Sequence, residues 1–411
     1  MAGETIVGLH IGTTTIKIVV MQHLSGENLR IIGASFSPIQ GMKRDVVADL
    51  EEVGKSIVNA LELAERVAGV PIDKAFIDVG GAHLKVTESK GVVAVSRADG
   101  EISPDDVSRA LSAAETISIP VNREIVYVVS RSFAVDGQKH IKDPVGMNGV
   151  RLEADTMIIT GSTPTIKNLT KCIFQTGMDV RGIIPTPLAA AKSVLTKRQR
   201  DLGVIIVNIG AGTTSIAVFE DGEAIHLGVL PVGAVHITND IAIGLRTSVD
   251  IAEKIKVEFG SALPSEINRR DQIDFSKIDS SENGIIQRRK VAEIIEARMQ
   301  EIFYLVDKEL KKIKHQRLLP AGAVLTGGGS KVPGAVDLAK DVLKLPVQLG
   351  FPRDLKGVID KADDPSFAVP VGLALFASED SHEGRNLFRG MPAPVKAVIG
   401  KIRKWVKVFM P

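Results

Sequence analysis

The chain has 411 residues, a formal net charge of +2, 44% hydrophobic and 24% charged residues. That length allows two or three domains, each with its own core, and the balanced charge gives no global pull towards nucleic acid. The single cysteine, Cys172, excludes an intramolecular disulfide and fits a lone buried thiol in a reducing cytosol.

The N-terminus, MAGETIVGLHIG, lacks the basic-then-apolar order of a signal peptide. No uncharged apolar run reaches the roughly 18 residues that a bilayer span requires. The stretch IVGLHIGTTTIKIVV (6–20) reads as a strand, a tight Gly/Thr turn and an antiparallel strand. An amphipathic helix, VADLEEVGKSIVNALELAERV, follows. Residues 81–160 alternate short strands with one helix, SPDDVSRALSAAETI, in which Ser103 and Pro104 read as N-cap and first helical position.

Residues 204–222, VIIVNIGAGTTSIAVFEDG, repeat the opening pattern. His10 aligns with Asn208, Gly12 with Gly210, and Thr13 and Thr14 with Thr213 and Thr214. Two copies half a chain apart imply two related lobes. A long helical pattern, VAEIIEARMQEIFYLVDKELKKI, comes next. Then VLTGGGSKVPG (324–334) leads from an apolar run through three glycines into the helical pattern AVDLAKDVL. Small residues let backbone N–H groups approach a phosphate, threonine hydroxyls add donors, and a helix N-terminus favours an anion. Three such turns in this order point to a nucleotide held between lobes.

At about residues 376–391, the stretch ASEDSHEGRNLFRGMP reads as a polar linker. The last stretch carries no acidic residue from Gly390 onward. On a helix, Val395, Val398, Ile399, Ile402, Trp405, Val406 and Phe409 share one face. Lys396, Arg403, Lys404 and Lys407 take the other side, with Lys401 near a boundary. Such a helix lies in a membrane interface, where each basic residue contributes on the order of 1 kcal/mol on an anionic cytoplasmic leaflet. Its charges make it a poor bilayer span.

Five stretches carry a more specific signal: GVVAVSRADGEIS, IKDPVGMNGVRLEAD, PVGAVHITNDIAIGLRTSVDIAEKIK, GAVLTGGGSKVPG and DDPSFAVPVGLALFA. They resemble the actin-like ATPase superfamily and, within it, the FtsA family of bacterial cell-division proteins. The resemblance implies an α/β fold: an actin-like two-lobed architecture with duplicated RNase H-like domains, an FtsA-type insert in the first lobe and a C-terminal amphipathic helix. It divides the chain into a first-lobe core (1–80 and 161–200), a self-assembly insert (81–160) and a second-lobe core (201–239 and 316–375). A nested subdomain (240–315), a linker (376–391) and a membrane-targeting helix (392–411) complete it.

The family resemblance also implies ATP and Mg²⁺. By motif position Gly12, Thr13, Thr14 and Lys17 face the phosphates from the first lobe. Gly210, Ala211, Gly212, Thr213 and Gly233 do so from the second. Glu253 and Lys256, on one helix face, hold ribose and base, and Gly327, Gly328 and Gly329 pass the base and α-phosphate. Implied partners are the FtsZ C-terminal peptide, a second copy in a filament, anionic lipids and further division proteins. Arg289, Lys290 and Arg298 are the candidate peptide contacts.

The resemblance also exposes departures. Actin-like ATPases carry an acidic residue in each hairpin and a glutamate before the crossover proline; here the positions hold His10, Asn208 and Thr186. Each change removes negative charge beside the expected metal. Imidazole does not replace carboxylate on hard Mg²⁺, although it can donate to a phosphate oxygen, and Asn208 still offers a carbonyl oxygen. The expectation is ATP held with very slow or absent hydrolysis, since positioning and electrostatics dominate phosphoryl transfer. Two alternatives stay open: an actin-like pilus-machine adaptor, and a true ATPase or kinase of the superfamily.

Overall fold

The chain builds the same five-stranded sheet twice. The computed structural model describes residues 4–23, 29–278, 284–358 and 360–383. The first lobe opens with β1 (Thr5–Ile11), β2 (Thr15–His23), β3 (Leu29–Pro38), a small hairpin of β4 (Met42–Lys43) and β5 (Val46–Val47), α1 (Leu50–Ala68) and β6 (Lys74–Val79). An excursion follows: β7 (Lys85–Ala94), α2 (Pro104–Ala114), β8 (Arg123–Val135), β9 (Gln138–Ile141) and β10 (Arg151–Ser162). The lobe then resumes with α3 (Thr163–Gln175), β11 (Asp179–Pro185), α4 (Thr186–Val194) and α5 (Lys197–Leu202). The second lobe begins with β12 (Val204–Ile209), β13 (Thr214–Glu220), β14 (Glu223–Leu230), α6 (Ala234–Leu245) and α7 (Val249–Phe259). It continues through β15 (Gln272–Asp274), β16 (Ile285–Gln287), α8 (Arg288–Lys312), β17 (Ala323–Thr326), α9 (Ala335–Leu343), β18 (Val347–Leu349) and α10 (Ala368–Glu383).

The sheet orders are β11-β6-β1-β2-β3 and β14-β13-β12-β17-β18. In each, a buried central strand pairs antiparallel with the next strand and parallel with a strand reached by a crossover. The excursion forms its own sheet, β7-β10-β8-β9, with α2 packed on it around Ile102, Ala110, Phe133 and Leu152.

Local signals explain the main helices. The Asp49 side chain accepts from the N–H groups of Glu51 and Glu52, and Gly69 at φ 71° ends α1. Between them Val53, Ile57, Ala60, Leu61 and Ala64 form the buried stripe. Ser103 caps α2 in a capping box with buried Asp106, and Pro104 takes the first turn. Burial raises the Asp106 carboxyl, but hydrogen bonds from Ser103, Ser96 and Arg109 outweigh it and hold it well below the usual carboxylate range. Cys172 is buried, and burial pushes its thiol up to about 11.

Three details differ from the sequence expectation. Ile11 pairs with Ile16 and Ile209 with Thr214, so both hairpin turns span four residues, 12–15 and 210–213. Each turn closes through its first N–H and fourth carbonyl, Gly12 to Thr15 at 3.0 Å and Gly210 to Thr213 at 2.9 Å. The structural equivalents are therefore Thr13 with Ala211, Thr14 with Gly212 and Thr15 with Thr213, because strand register fixes the turn and the Gly/Thr spelling does not. Second, α10 continues to Glu383, into the stretch read as linker. Third, α10 packs on α4 and β1, which joins it to the first-lobe core. Glycines permit that approach: a Cβ on Gly8 would lie 2.1 Å from the Pro370 carbonyl, and one on Gly372 would lie 1.7 Å from that of Ala189. Among the described residues, no helix is long and apolar enough to cross a membrane. The amphipathic stretch 392–411 lies outside the described residues.

Candidate nucleotide site between the lobes

Three glycine-bearing turns converge where the two sheets face each other. The first amides of α6 close on the second hairpin turn: Ala234 N–H donates to Gly210 O and Val235 N–H to Ala211 O, both at 2.9 Å. Gly233 makes this possible, since a Cβ there would stand 2.6 Å from Gly210 O. The third turn leaves β17 at Gly327, whose φ of 84° and approach to Asn208 Oδ1, 2.5 Å from an added Cβ, both require glycine. Gly329 packs on Ile209, and Gly328 has room beside it, its nearest neighbour for a Cβ being Ser366 at 3.9 Å. The lobes touch at the turns: a Cβ on Gly212 would lie 2.4 Å from Thr13 Oγ1.

His10 sits at the end of β1, across from Lys17 in register. Its Nδ1 lies 2.9 Å from Asp78 Oδ1 and 3.0 Å from Oδ2. Thr186 donates to Asp78 Oδ2 at 2.8 Å. Asp78 ends the apolar run of β6 and is 5% exposed. With Nδ1 committed, Nε2 is the nitrogen turned towards the first hairpin turn, 3.1 Å from where a Gly12 Cβ would be. The first lobe thus keeps a carboxylate, which the hairpin and crossover positions did not reveal. Its sequence signal is slight: an aspartate one residue before the end of a strand that runs into Gly80 and Gly81.

Asp45 is the second residue missed. It comes from the turn between β4 and β5 and accepts from Thr13 Oγ1 at 2.6 Å and from Thr213 Oγ1. Thr14 is exposed in the same first-lobe turn. On the second lobe, Asn208 is buried and its Nδ2 donates to Ser215 Oγ at 3.2 Å. Lys17 donates to Thr15 Oγ1 at 3.0 Å and lies 6.0 Å from the centre of the Phe367 ring. Burial pushes its ammonium down to about 8, opposed by Asp364 and assisted by Lys331.

Glu253 and Lys256 do meet, at 2.5 Å, and Thr238 of α6 donates to Glu253 and accepts from Lys256. That network ties α7 to the helix seated on the second turn. On α8, Arg298 grips Asp240 through Nε at 2.6 Å and Nη2 at 3.0 Å and also reaches Glu301, so its charge is already engaged. Those acidic partners raise the Arg298 guanidinium further, Asp240 first. Arg289 pairs with Glu293 at 3.3 Å, and Lys290 is exposed.

Comparison with known proteins matches this architecture. The family model described as "Cell division protein FtsA" covers residues 205–372, and that of the "SHS2 domain inserted in FTSA" covers residues 81–160. The chain is 35% identical to the cell division protein FtsA of Pseudomonas aeruginosa, across 99% of this chain and 98% of that protein. The chain belongs to the FtsA family. It is likewise 38% identical to the Bacillus subtilis FtsA, across 95% of this chain and 87% of that protein, and 32% identical to the Escherichia coli FtsA, across 98% of each. It is thus an actin-like cell-division protein. Its fold is shared with a solved PilM-PilN type IV pilus biogenesis complex (TM-score 0.65, 17% identity, 90% of this chain and 98% of that one). The same holds for MreB5 of Spiroplasma citri bound to ADP (TM-score 0.56, 14% identity, 93% and 99%). At those identities the likeness is one of fold.

Two outcomes follow for this FtsA-family chain. His10→Asp sets a second carboxylate against Asp78 and is expected to cost on the order of 3 kcal/mol relative to His10→Asn at pH 8. Adding Asp78→Asn should restore most of it; denaturant unfolding of the variants checks this. Lys17 titrates near 8 when folded and near 10.4 in an unfolded chain. Between those values the unfolded state binds more protons, so stability rises with pH, by at most about 1.4 kcal/mol per unit. Lys17→Met should lack that rise, and equal slopes for the two proteins between pH 8 and 10 would contradict the burial of the charge.

Proposed function

We propose that this protein is a nucleotide-holding adaptor that self-assembles on the cytoplasmic face of the membrane at the division septum and tethers FtsZ filaments there. The observation that carries the nucleotide reading is the convergence of the Gly12–Thr15, Gly210–Thr213 and Gly327–Gly329 turns, with His10 Nε2 turned towards Gly12. This donor set suits an anion. The turns bring backbone N–H groups and the hydroxyls of Thr13 and Thr213 together at glycines whose lack of a side chain lets backbone and hydroxyl groups approach closely. The MreB5 structures of the same fold are described as bound to ADP and to AMPPNP.

In this reading Gly12, Thr13, Thr14 and Lys17 hold phosphate oxygens from the first lobe, and Gly210, Ala211, Gly212, Thr213 and Gly233 from the second. Glu253 and Lys256 take the ribose and base, with Gly327, Gly328 and Gly329 alongside. Mg²⁺ would arrive on the phosphates, and the Asn208 amide oxygen would be available to order its water. Asp78 holds the His10 ring with Nε2 towards the first hairpin turn; the Asp78 carboxylate is occupied by His10 and Thr186 and is not free to position a water. The nucleotide then serves as a structural ligand, held and cleaved very slowly or not at all.

Single turnover with labelled ATP tests this. The wild type should retain uncleaved ATP. His10→Asp with Asp78→Asn and Asn208→Asp should gain cleavage, because carboxylates then stand at both hairpins without mutual repulsion. Steady cleavage by the wild type would sink the reading.

Membrane attachment rests on the basic, amphipathic stretch 392–411, and FtsZ contact on the α8 side of the nested subdomain. With Arg298 engaged by Asp240 and Glu301 and Arg289 paired with Glu293, the exposed Lys290 is the better placed cation for an acidic peptide. A chain ending at Arg389 should keep its affinity for an FtsZ C-terminal peptide but no longer sediment with anionic liposomes. Unchanged sedimentation, or no peptide binding by the full chain, would remove the corresponding part of the proposal.

A further inference from the structure

Asp45 occupies an unusual place for a surface hairpin residue. Arg44 and Asp45 form the two-residue turn between β4 and β5, with φ of 49° and 61°. Positive φ at both positions marks the hairpin turn that normally selects Asn-Gly or Gly-Gly. Here the turn carries two full side chains and is pressed into the gap between the lobes: a Cβ on Gly212 would be 2.9 Å from Arg44 Cα. The Asp45 carboxylate accepts one hydroxyl from each lobe, Thr13 at Oδ1 and Thr213 at Oδ2. Its own N–H donates back to Thr13 Oγ1 at 3.0 Å. On its far side stands Gly80, where an added Cβ would lie 3.3 Å from Asp45 Oδ2 and 2.9 Å from Thr186 Oγ1.

A carboxylate and a phosphate present the same face to two hydroxyl donors: adjacent anionic oxygens that accept. We propose that Asp45 is an internal stand-in for the terminal phosphate, and so the residue that sets this protein's discrimination between nucleoside diphosphate and triphosphate. The inference rests on the nucleotide reading above. With adenosine at α7 and the third turn, Asp45 lies at the other end of the phosphate row, on the side of Gly80 and Thr186. A triphosphate must take Thr13 and Thr213 from Asp45 and push the like-charged carboxylate, with its β-turn, out of the gap. A diphosphate ends one phosphoryl group short and leaves the bridge in place. Asp45 therefore acts as a specificity residue and as a clasp that joins the lobes when no terminal phosphate does.

The test is titration calorimetry on the full chain with ADP and with a non-hydrolysable ATP analogue, comparing wild type, Asp45→Ala and Asp45→Asn. Asp45→Ala should tighten the triphosphate analogue by about tenfold or more, the factor carried by one charge-assisted hydrogen bond, while ADP stays within about twofold. Asp45→Asn, which keeps an acceptor but no charge, should fall between, and its matching circular dichroism melt controls for folding. An unchanged analogue-to-ADP ratio in both variants, with ADP still bound, overturns the clasp alone. Equal weakening of both ligands in Asp45→Ala overturns it too, since Asp45 would then be a ligand-supporting residue. No nucleotide bound by any of the three proteins overturns the nucleotide reading with it.

Discussion

The architecture depends on two four-residue turns that meet face to face. Each is closed by one backbone hydrogen bond from its first N–H to its fourth carbonyl. Each is fixed at the end of a central strand, β12 buried throughout and β1 buried except at Thr5 and His10. The turns can touch only because position 212 has no side chain. The second turn is further pinned from behind by Gly233 and the start of α6, and its strand by Gly327 and Gly329. A side chain at any of these positions would push a lobe, a helix or the third turn away from the others. The close approach is thus a property of the whole assembly of turns.

Around that contact the negative charge has been relocated. The hairpin positions hold His10 and Asn208, and the crossover holds Thr186, so the places where a carboxylate is expected are neutral or basic. Yet Asp78 brings a buried carboxylate to His10 and Thr186, and the half-buried Asp45 brings another carboxylate to Thr13 and Thr213. Each has both oxygens met by donors, which is what permits the Asp78 charge to lie so deep. A carboxylate with its oxygens occupied orients an imidazole or bridges two hydroxyls, but offers little to a metal-bound water. This is the physical reason to read the site as one that holds rather than cleaves.

The joint between the lobes has a similar logic. Helices α4 and α10 cross at Ala189 and Gly372 with their backbones nearly in contact, and α10 leans on β1 at Gly8. Small residues there let two helices and a strand share one core, so β1, which carries His10, is braced by the chain's final described helix. The turn that follows β1 is thus anchored through the same core as α10.

Much of this was legible in the order of residues. Strand–turn–strand patterns at 6–20 and 204–222 gave the duplication, because alternation of apolar residues and a Gly/Thr break are local properties. Ser103-Pro104 marked a helix start because capping is a three-residue event, and the basic amphipathic pattern of 392–411 is visible in the letters. Tertiary structure decided the rest, since it depends on residues far apart in sequence. Turn register equated Thr13 with Ala211, where the spelling matched it to Thr213. Packing carried α10 to the first lobe. Asp78 became a site residue only when β6 was laid beside β1, 68 positions separating it from His10, and Asp45 only when the β4–β5 hairpin met the turn after β1. A carboxylate's role is set by which donors reach it, and no sequence window contains those donors.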